Sequence, residues 1–235
     1  MKPYYESGGV TIYHGDARDV LPTLDTVDLI LTDPPYSARA HKNARGHWKA
    51  DGQERAIVDD AFASMTRNQI KDILSIQIPR RWLISFMDYT MVPAMEVDPP
   101  RGIKTIRMGI WIKPNGAPQF TGDRLGMGWE AIWFAHNTET KLRWSGKGRH
   151  GVFHCPIEQG EHPTMKPLKL VSQLIELFSE PKETILDPFM GVGTMLLAAK
   201  NWGRKAIGIE INERYAEIAA KRLGQEVFDF DGGEA

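Results

Sequence analysis

The stretch that decides the fold runs Thr184-Ile-Leu-Asp187-Pro-Phe-Met-Gly191-Val-Gly193-Thr194 and continues through a helix to Lys205-Ala-Ile-Gly-Ile-Glu210. Its first three residues read as a buried strand ending on a carboxylate, and the two glycines mark a tight turn into a helix. That helix spans Thr194 to Trp202 and is stopped by Gly203; the strand Lys205 to Ile209 follows, then a helix from Glu213 to Leu223 stopped by Gly224. Strands alternating with helices predict a parallel sheet covered by helices on both faces.

Working outward, Val10 to Tyr13 reads as a short strand ending at His14-Gly15-Asp16, and Val27 to Leu31 as a buried strand ending at Thr32-Asp33-Pro34-Pro35-Tyr36. Four predicted strands thus end beside a carboxylate: Asp16, Asp33, Asp187 and Glu210. Ligands of open α/β sheets bind beyond the carboxyl ends of strands, so these four are expected along one edge. Residues 37–60 carry no apolar periodicity, which predicts a long functional loop, poorly ordered without a partner. Thr66-Arg-Asn-Gln69 resembles a capping box opening a helix with Ile70, Ile73, Leu74 and Ile78 on one face, ended at Pro79. Further strands are expected at Trp82 to Phe86, Thr105 to Ile112 and Ala131 to Ala135, and a helix from Pro167 to Pro181.

Composition bounds the class. With 235 residues, 42% hydrophobic and 25% charged, the chain is expected to form one domain, with length to spare for an insertion. No run approaches the ~20 apolar residues that span a bilayer, so no membrane association is expected and the protein should be cytoplasmic. Cys155 is the one cysteine, which excludes an intrachain disulfide. His150, His154 and Cys155 with His162 fit no common zinc spacing, so no metal is expected. The formal net charge of -1 is uninformative about nucleic acid, but bases are clustered. Arg39, Lys42, Arg45, Lys49 and Arg55 lie in the long loop, and Lys141, Arg143, Lys147 and Arg149 form a second group.

The glycine turn narrows the ligand. Glycines let backbone amides approach a ligand, and a helix N-terminus favours an anionic group such as a carboxylate. Glu210 stands about 20 positions past the turn, where a Rossmann-like unit binds ribose hydroxyls. A phosphate-binding P-loop would need a Lys-Ser or Lys-Thr that is absent, and a dinucleotide site a third glycine. S-adenosyl-L-methionine, with a ribose, an adenine and a carboxylate but no phosphate, agrees with the residues present.

Asp33-Pro34-Pro35-Tyr36 suits a matching reaction. An exocyclic amine is a poor nucleophile because its lone pair is delocalised into the ring. The Asp33 carboxylate and the Pro34 carbonyl can each accept one N–H, localising that pair and aiming it at an electrophile. Prolines 34 and 35 stiffen the carbonyl's support, and Tyr36 offers a face on which a flipped base can stack.

With both motifs quoted, the chain resembles the amino-methyltransferases of DNA, over nearly its whole length. In that family Asp-Pro-Pro-Tyr is catalytic and Asp-Pro-Phe-x-Gly-x-Gly-Thr holds the cofactor, matched here by Asp33 to Tyr36 and by Asp187, Phe189, Gly191, Gly193 and Thr194. The resemblance implies that His162, Thr164 and Lys166, in His162-Pro-Thr-Met-Lys-Pro167, close over the methionine end of the cofactor, and that Asp16 accepts from its adenine amine. It also implies a Rossmann-like, mostly parallel, seven-stranded sheet in a single domain. The catalytic motif precedes the cofactor motif, similar to the circularly permuted β subgroup, which places a small target-recognition insertion at about 115–161. There Phe120, Trp129, Trp133, Trp144 and Phe153 are interleaved with bases, and one of Trp133 and Phe134 at least is expected in the core. The implied substrate is double-stranded DNA. Asp33 favours adenine N6, with cytosine N4, RNA or a protein amide as alternatives; the recognition sequence, a homodimer and a partner restriction nuclease stay open.

Overall fold

The computed structural model describes residues 1–35, 64–116, 118, 122–158 and 165–225. Tyr36, Phe120, His162, Thr164 and the loop of residues 37–60, with the expectations attached to them, lie outside the described residues. The strands are β1 (Tyr5–Ser7), β2 (Val10–His14), β3 (Leu29–Thr32), β4 (Trp82–Met87), β5 (Ile103–Ile112), β6 (Trp129–Asn137), β7 (Val152–His154), β8 (Thr184–Asp187) and β9 (Lys205–Glu210). The helices are α1 (Ala17–Val20), α2 (Arg67–Leu74), α3 (Val92–Val97), α4 (Leu168–Phe178), α5 (Thr194–Asn201) and α6 (Glu213–Gly224).

The nine strands among the described residues join one sheet in the order β1-β2-β9-β8-β3-β4-β6-β5-β7. The five from β2 to β4 pair in parallel, β6 runs against both its neighbours, and β7 is parallel to β5. Seven strands were expected; the two additional ones are the three-residue edge strands β1 and β7. The first is a hairpin partner of β2 across Gly8 and Gly9, both at positive φ as two-residue hairpin turns require. Its signal, a Gly-Gly between two β-prone runs, was present in the sequence. The second follows a basic irregular stretch and gains strand geometry only by pairing with residues 110–112 of β5.

Helices cover both faces, as the alternation predicted. Leu29 and Leu31 of β3 point into one core with residues of α4, α5 and α6, while Ile30 joins the opposite core with α1, α2 and α3. Burial on both faces explains why β3 and β4 read as continuous apolar runs rather than alternating ones. The capping box forms as expected, with Thr66 and Gln69 each bonding the other's backbone N–H. Helix α2 nevertheless stops at Leu74, short of Pro79, and Ser75 returns its hydroxyl to the Lys71 carbonyl at 2.7 Å.

The sheet reverses its winding between β8 and β3. From β8 the chain crosses through α5 to β9 on one side; from β3 it crosses through α2 to β4 on the other. A crevice opens at such a point beyond the carboxyl ends of the strands. The glycine turn is seated there by close packing: a Cβ on Gly193, at φ 78°, would lie 2.9 Å from the Cβ of Ala219 in α6. Gly193→Ala is therefore expected to cost about 2 kcal/mol or more, from left-handed strain plus overpacking. Denaturant unfolding checks this, and a loss below about 0.5 kcal/mol would contradict the packing argument.

Candidate active site

The register brings the four carboxylates to one edge. His14 of β2 pairs with Glu210 of β9, Asp187 of β8 pairs with Gly208, and Leu29 and Ile30 of β3 pair with Ile185 and Leu186. Asp16 and Asp33, one or two residues past their strands, therefore stand on the same rim as Asp187 and Glu210.

On the glycine side, Glu210 is 4% exposed and accepts from Gly191 N at 3.0 Å and Asn212 N at 2.8 Å. It ties the turn after β8 to the end of β9, and burial pushes its carboxyl above the usual range. Among the described residues, chain neighbours aside, no heavy atom lies within 4 Å of where a Cβ of Gly191 would stand, at φ 52°, so they leave that side of the turn open to a ligand. Helix α5 begins at Thr194 with no side-chain cap from Gly193, and the buried Thr194 Oγ1 has no hydrogen-bond partner among the described residues. Open glycine, uncapped helix N-terminus, unpartnered hydroxyl and buried carboxylate form a set with room and acceptors for a ribose and a ligand carboxylate. Asp16 caps α1 through Arg18 N at 2.8 Å and pairs with the Arg18 guanidinium, which holds its carboxyl below the usual range.

Asp187 lies beneath the turn. It is 1% exposed, and its Oδ1 accepts from Thr32 Oγ1 at 2.6 Å and Phe189 N at 3.0 Å, clamping β8 to β3. Thr32 was not recognised from the sequence as part of this arrangement. Burial outweighs those donors and pushes the Asp187 carboxyl up to about 7. A carboxyl whose folded pKa exceeds its unfolded value near 3.9 makes the fold lose stability as pH rises between the two values. Asp187→Asn is expected to raise stability at pH 8 by about 2–4 kcal/mol, with no gain at pH 4, because the amide keeps an acceptor and removes the buried charge. Denaturant unfolding at both pH values checks it; an equal effect at each would mean that the charge is not what matters.

On the β3 side of the rim, Asp33 meets Lys166. The Lys166 ammonium, which the resemblance assigned to the cofactor, donates to Asp33 Oδ2 at 2.5 Å and stands 3.3 Å from Glu130 Oε1. It also lies 4.9 Å from the Phe86 ring centroid. Glu130 Oε2 is in turn 3.1 Å from Lys113 Nζ. Burial pushes the Asp33 carboxyl up against the pull of Lys166, and Glu130 pushes the same way. Burial acts to lower the Lys166 ammonium, but the two carboxylates hold it above its ordinary value. Sequence reasoning missed Glu130 and Lys113, which look like ordinary charges at strand ends. Pro34 is buried, and the Pro35 carbonyl accepts from Met65 N at 2.7 Å, fixing the backbone just past Asp33.

The interval 115–161 divides between the two edges of the sheet. It includes β6, a central strand in which Trp133 and Phe134 are both buried, and Phe153 of β7 is buried as well. The described residues between β5 and β6 lie at the carboxyl edge, closed by Lys113 N to Gly128 O at 2.8 Å and pinned by Asn115 to Ile157. They expose Leu125 and Met127. The stretch from Thr140 begins at the opposite edge: Thr140 Oγ1 donates to the Arg80 carbonyl and Trp82 Nε1 to the Arg143 carbonyl, both at the start of β4. Lys141 and Arg143 are thus remote from Asp33, and half-exposed Trp144 packs on Phe178 of α4.

A parallel sheet with a crevice at its winding reversal, a glycine turn and an Asp-Pro-Pro carboxylate on the same rim define a methylase of amino groups. The chain belongs to the DNA methylase family, whose model matches residues 27–221. It is 27% identical to a type II methyltransferase of Lactococcus lactis subsp. cremoris, M2.LlaDCHI, over 95% of this chain and 93% of that one. It is 28% identical to type II methyltransferase M2.MboI of Moraxella bovis over 94% and 91%. Among solved structures, M1.HpyAVI in complex with SAM shares 25% identity and a TM-score of 0.70, covering 91% of this chain and all of that one. The cytosine-N4-specific PvuII DNA methyltransferase, at 15% identity and a TM-score of 0.71, shares the fold. Among the described residues no helix is long and apolar enough to cross a membrane.

Proposed function

We propose that the protein transfers a methyl group from S-adenosylmethionine to the N6 amino group of adenine in double-stranded DNA. The observation that carries this is the meeting of Asp33 with the open glycine turn at one crevice. Glu210, Thr194 and the amide groups around Gly191 would hold the ribose and the carboxylate of the cofactor, with Asp16 toward its adenine. Bound there, S-adenosylmethionine supplies an electrophilic methyl group. Asp33 and the Pro34 carbonyl accept the two N–H groups of a flipped-out base and turn its nitrogen toward tetrahedral geometry. Lys166 holds Asp33 by one oxygen, which fixes the carboxylate's rotamer and leaves the other oxygen for the amine. As the new N–C bond forms at the expense of the methyl–sulfur bond, whose electron pair stays with the departing thioether, nitrogen carries one proton too many, and Asp33 is the base placed to take it before it passes to water.

Adenine is favoured because Asp at the first motif position usually accompanies adenine in this family, while Ser often accompanies cytosine N4. Target contacts are assigned to the 114–128 link with exposed Leu125 and Met127, on the rim that holds Asp33, rather than to the bases at Lys141 and Arg143. In the segment 37–60, outside the described residues, Arg39, Lys42 and Arg45 follow the Asp-Pro-Pro-Tyr tetrapeptide in sequence and are assigned to phosphates. Replacing those three together should weaken DNA binding about ten-fold or more and flatten the salt dependence, since each phosphate contact releases counterions. Unchanged affinity and slope would return the loop to a solvated surface. Substrate class is tested by supplying labelled S-adenosylmethionine with duplex DNA, structured RNA or protein in parallel: label is expected in DNA alone, and label only in RNA or protein would refute the proposal.

A further inference from the structure

Two of the three charged side chains that face Asp33 among the described residues have no part in the mechanism above. Glu130 is the second residue of β6 and Lys113 the first after β5, and the two carboxylate oxygens of Glu130 face different lysines, Oε1 toward Lys166 at 3.3 Å and Oε2 toward Lys113 at 3.1 Å. Side-chain exposure is 7% for Lys166, 16% for Glu130, 20% for Lys113 and 25% for Asp33, so solvent screens these charges little. Four residues from four segments, two acids and two bases, form a chain Asp33–Lys166–Glu130–Lys113.

We propose that Glu130, held by Lys113, is a positioning residue that keeps the Lys166 ammonium shared between two carboxylates, so that Asp33 stays a strong acceptor for the target amine. This rests on the methyl-transfer reading. A buried lysine with one carboxylate partner gives that partner its whole charge, and an acceptor so neutralised polarises an amine N–H poorly. With Glu130 present, the ammonium divides its donors between Asp33 and Glu130, and Lys113 keeps Glu130 from being drawn wholly onto Lys166. The Phe86 face, 4.9 Å from the ammonium, limits where else it can go.

The groups that face Asp33 among the described residues are Lys166, Glu130 and Lys113, with Asp187 feeling its charge from the adjacent strand. The carboxylate of Glu130 raises the proton affinity of Asp33 and the ammonium of Lys113 lowers it. Removing either charge must therefore move Asp33 in opposite directions, which loss of packing alone would not do.

The test uses the full chain with Glu130→Gln and Lys113→Met. The carbon-13 resonance of the Asp33 carboxyl is titrated, and single-turnover methyl transfer to duplex DNA is followed against pH. Glu130→Gln is expected to lower the Asp33 midpoint and the acid limb of the rate profile by about half a unit or more. It should also reduce the plateau rate about ten-fold, the low end of what a charge-assisted hydrogen bond contributes, with cofactor affinity unchanged. Lys113→Met should raise the midpoint. If Glu130→Gln does not fold, the upward shift in Lys113→Met decides alone. Unmoved midpoints, or shifts of the same sign in both variants, would overturn the proposal. Absence of transfer by the unaltered protein, with the resonances moving as stated, would instead refute the methyl-transfer reading and keep the electrostatic network.

Discussion

Asp33→Ala is expected to reduce methyl transfer by about 10³-fold or more while the cofactor dissociation constant changes by less than about three-fold. The first number follows from the role proposed for the carboxylate, accepting one amine N–H and then receiving the surplus proton. Both contributions are made in the transition state, so the loss falls on kcat. The second follows from place. Asp33 directly follows β3 and pairs with Lys166, whereas the glycine turn is held by Glu210 from β9. Removing Asp33 leaves the Lys166 ammonium with Glu130, so the variant is expected to fold. Single-turnover kinetics and calorimetry on the same preparation separate the two effects. Residual activity near the unaltered rate would remove Asp33 from the mechanism, and loss of cofactor binding in step with activity would put it in the wrong site.

Glu210→Ala should produce the converse pattern, weakening cofactor binding about 10- to 100-fold, the range a lost charge-assisted hydrogen bond predicts. Beside the ribose contact proposed for it, the side chain accepts from Gly191 N, so its removal also lets the turn relax. Glu210→Gln keeps an acceptor oxygen and should recover part of the loss. Calorimetry decides, and an unchanged dissociation constant in the alanine variant would mean that Glu210 serves only to join the turn to β9.

What the sequence disclosed was local or periodic. Strands β2, β3, β8 and β9 announce themselves as apolar runs ending on a carboxylate, and the turn Asp187 to Thr194 has glycines where backbone must bend left-handed. The parallel sheet followed, and with it the common rim of Asp16, Asp33, Asp187 and Glu210. Strands β1 and β7 escaped because three-residue edges carry too little pattern, although Gly8-Gly9 was a usable sign for the first.

The site was only half legible for a different reason. Lys166 and Asp33 are 133 positions apart, and nothing local says that a lysine before α4 returns to the end of β3. Glu130 and Lys113 join them only because β6 reverses direction between β4 and β5, which puts the first residues of one strand beside the last of the other. The same reversal carries Lys141 and Arg143 to the far edge, so a basic stretch that looked suited to DNA lies away from the chemistry. Edge assignment depends on strand direction, and single-sequence periodicity reports burial without direction.

The central claim is tested most directly by incubating unmethylated duplex DNA with the protein and S-adenosylmethionine, hydrolysing it to nucleosides and separating them by mass, with Asp33→Ala as the control. N6-methyladenosine in its deoxy form should appear with the unaltered protein and fall to background with the variant. N4-methyldeoxycytidine as the product would contradict the choice of base, and equal product from the variant would contradict the mechanism.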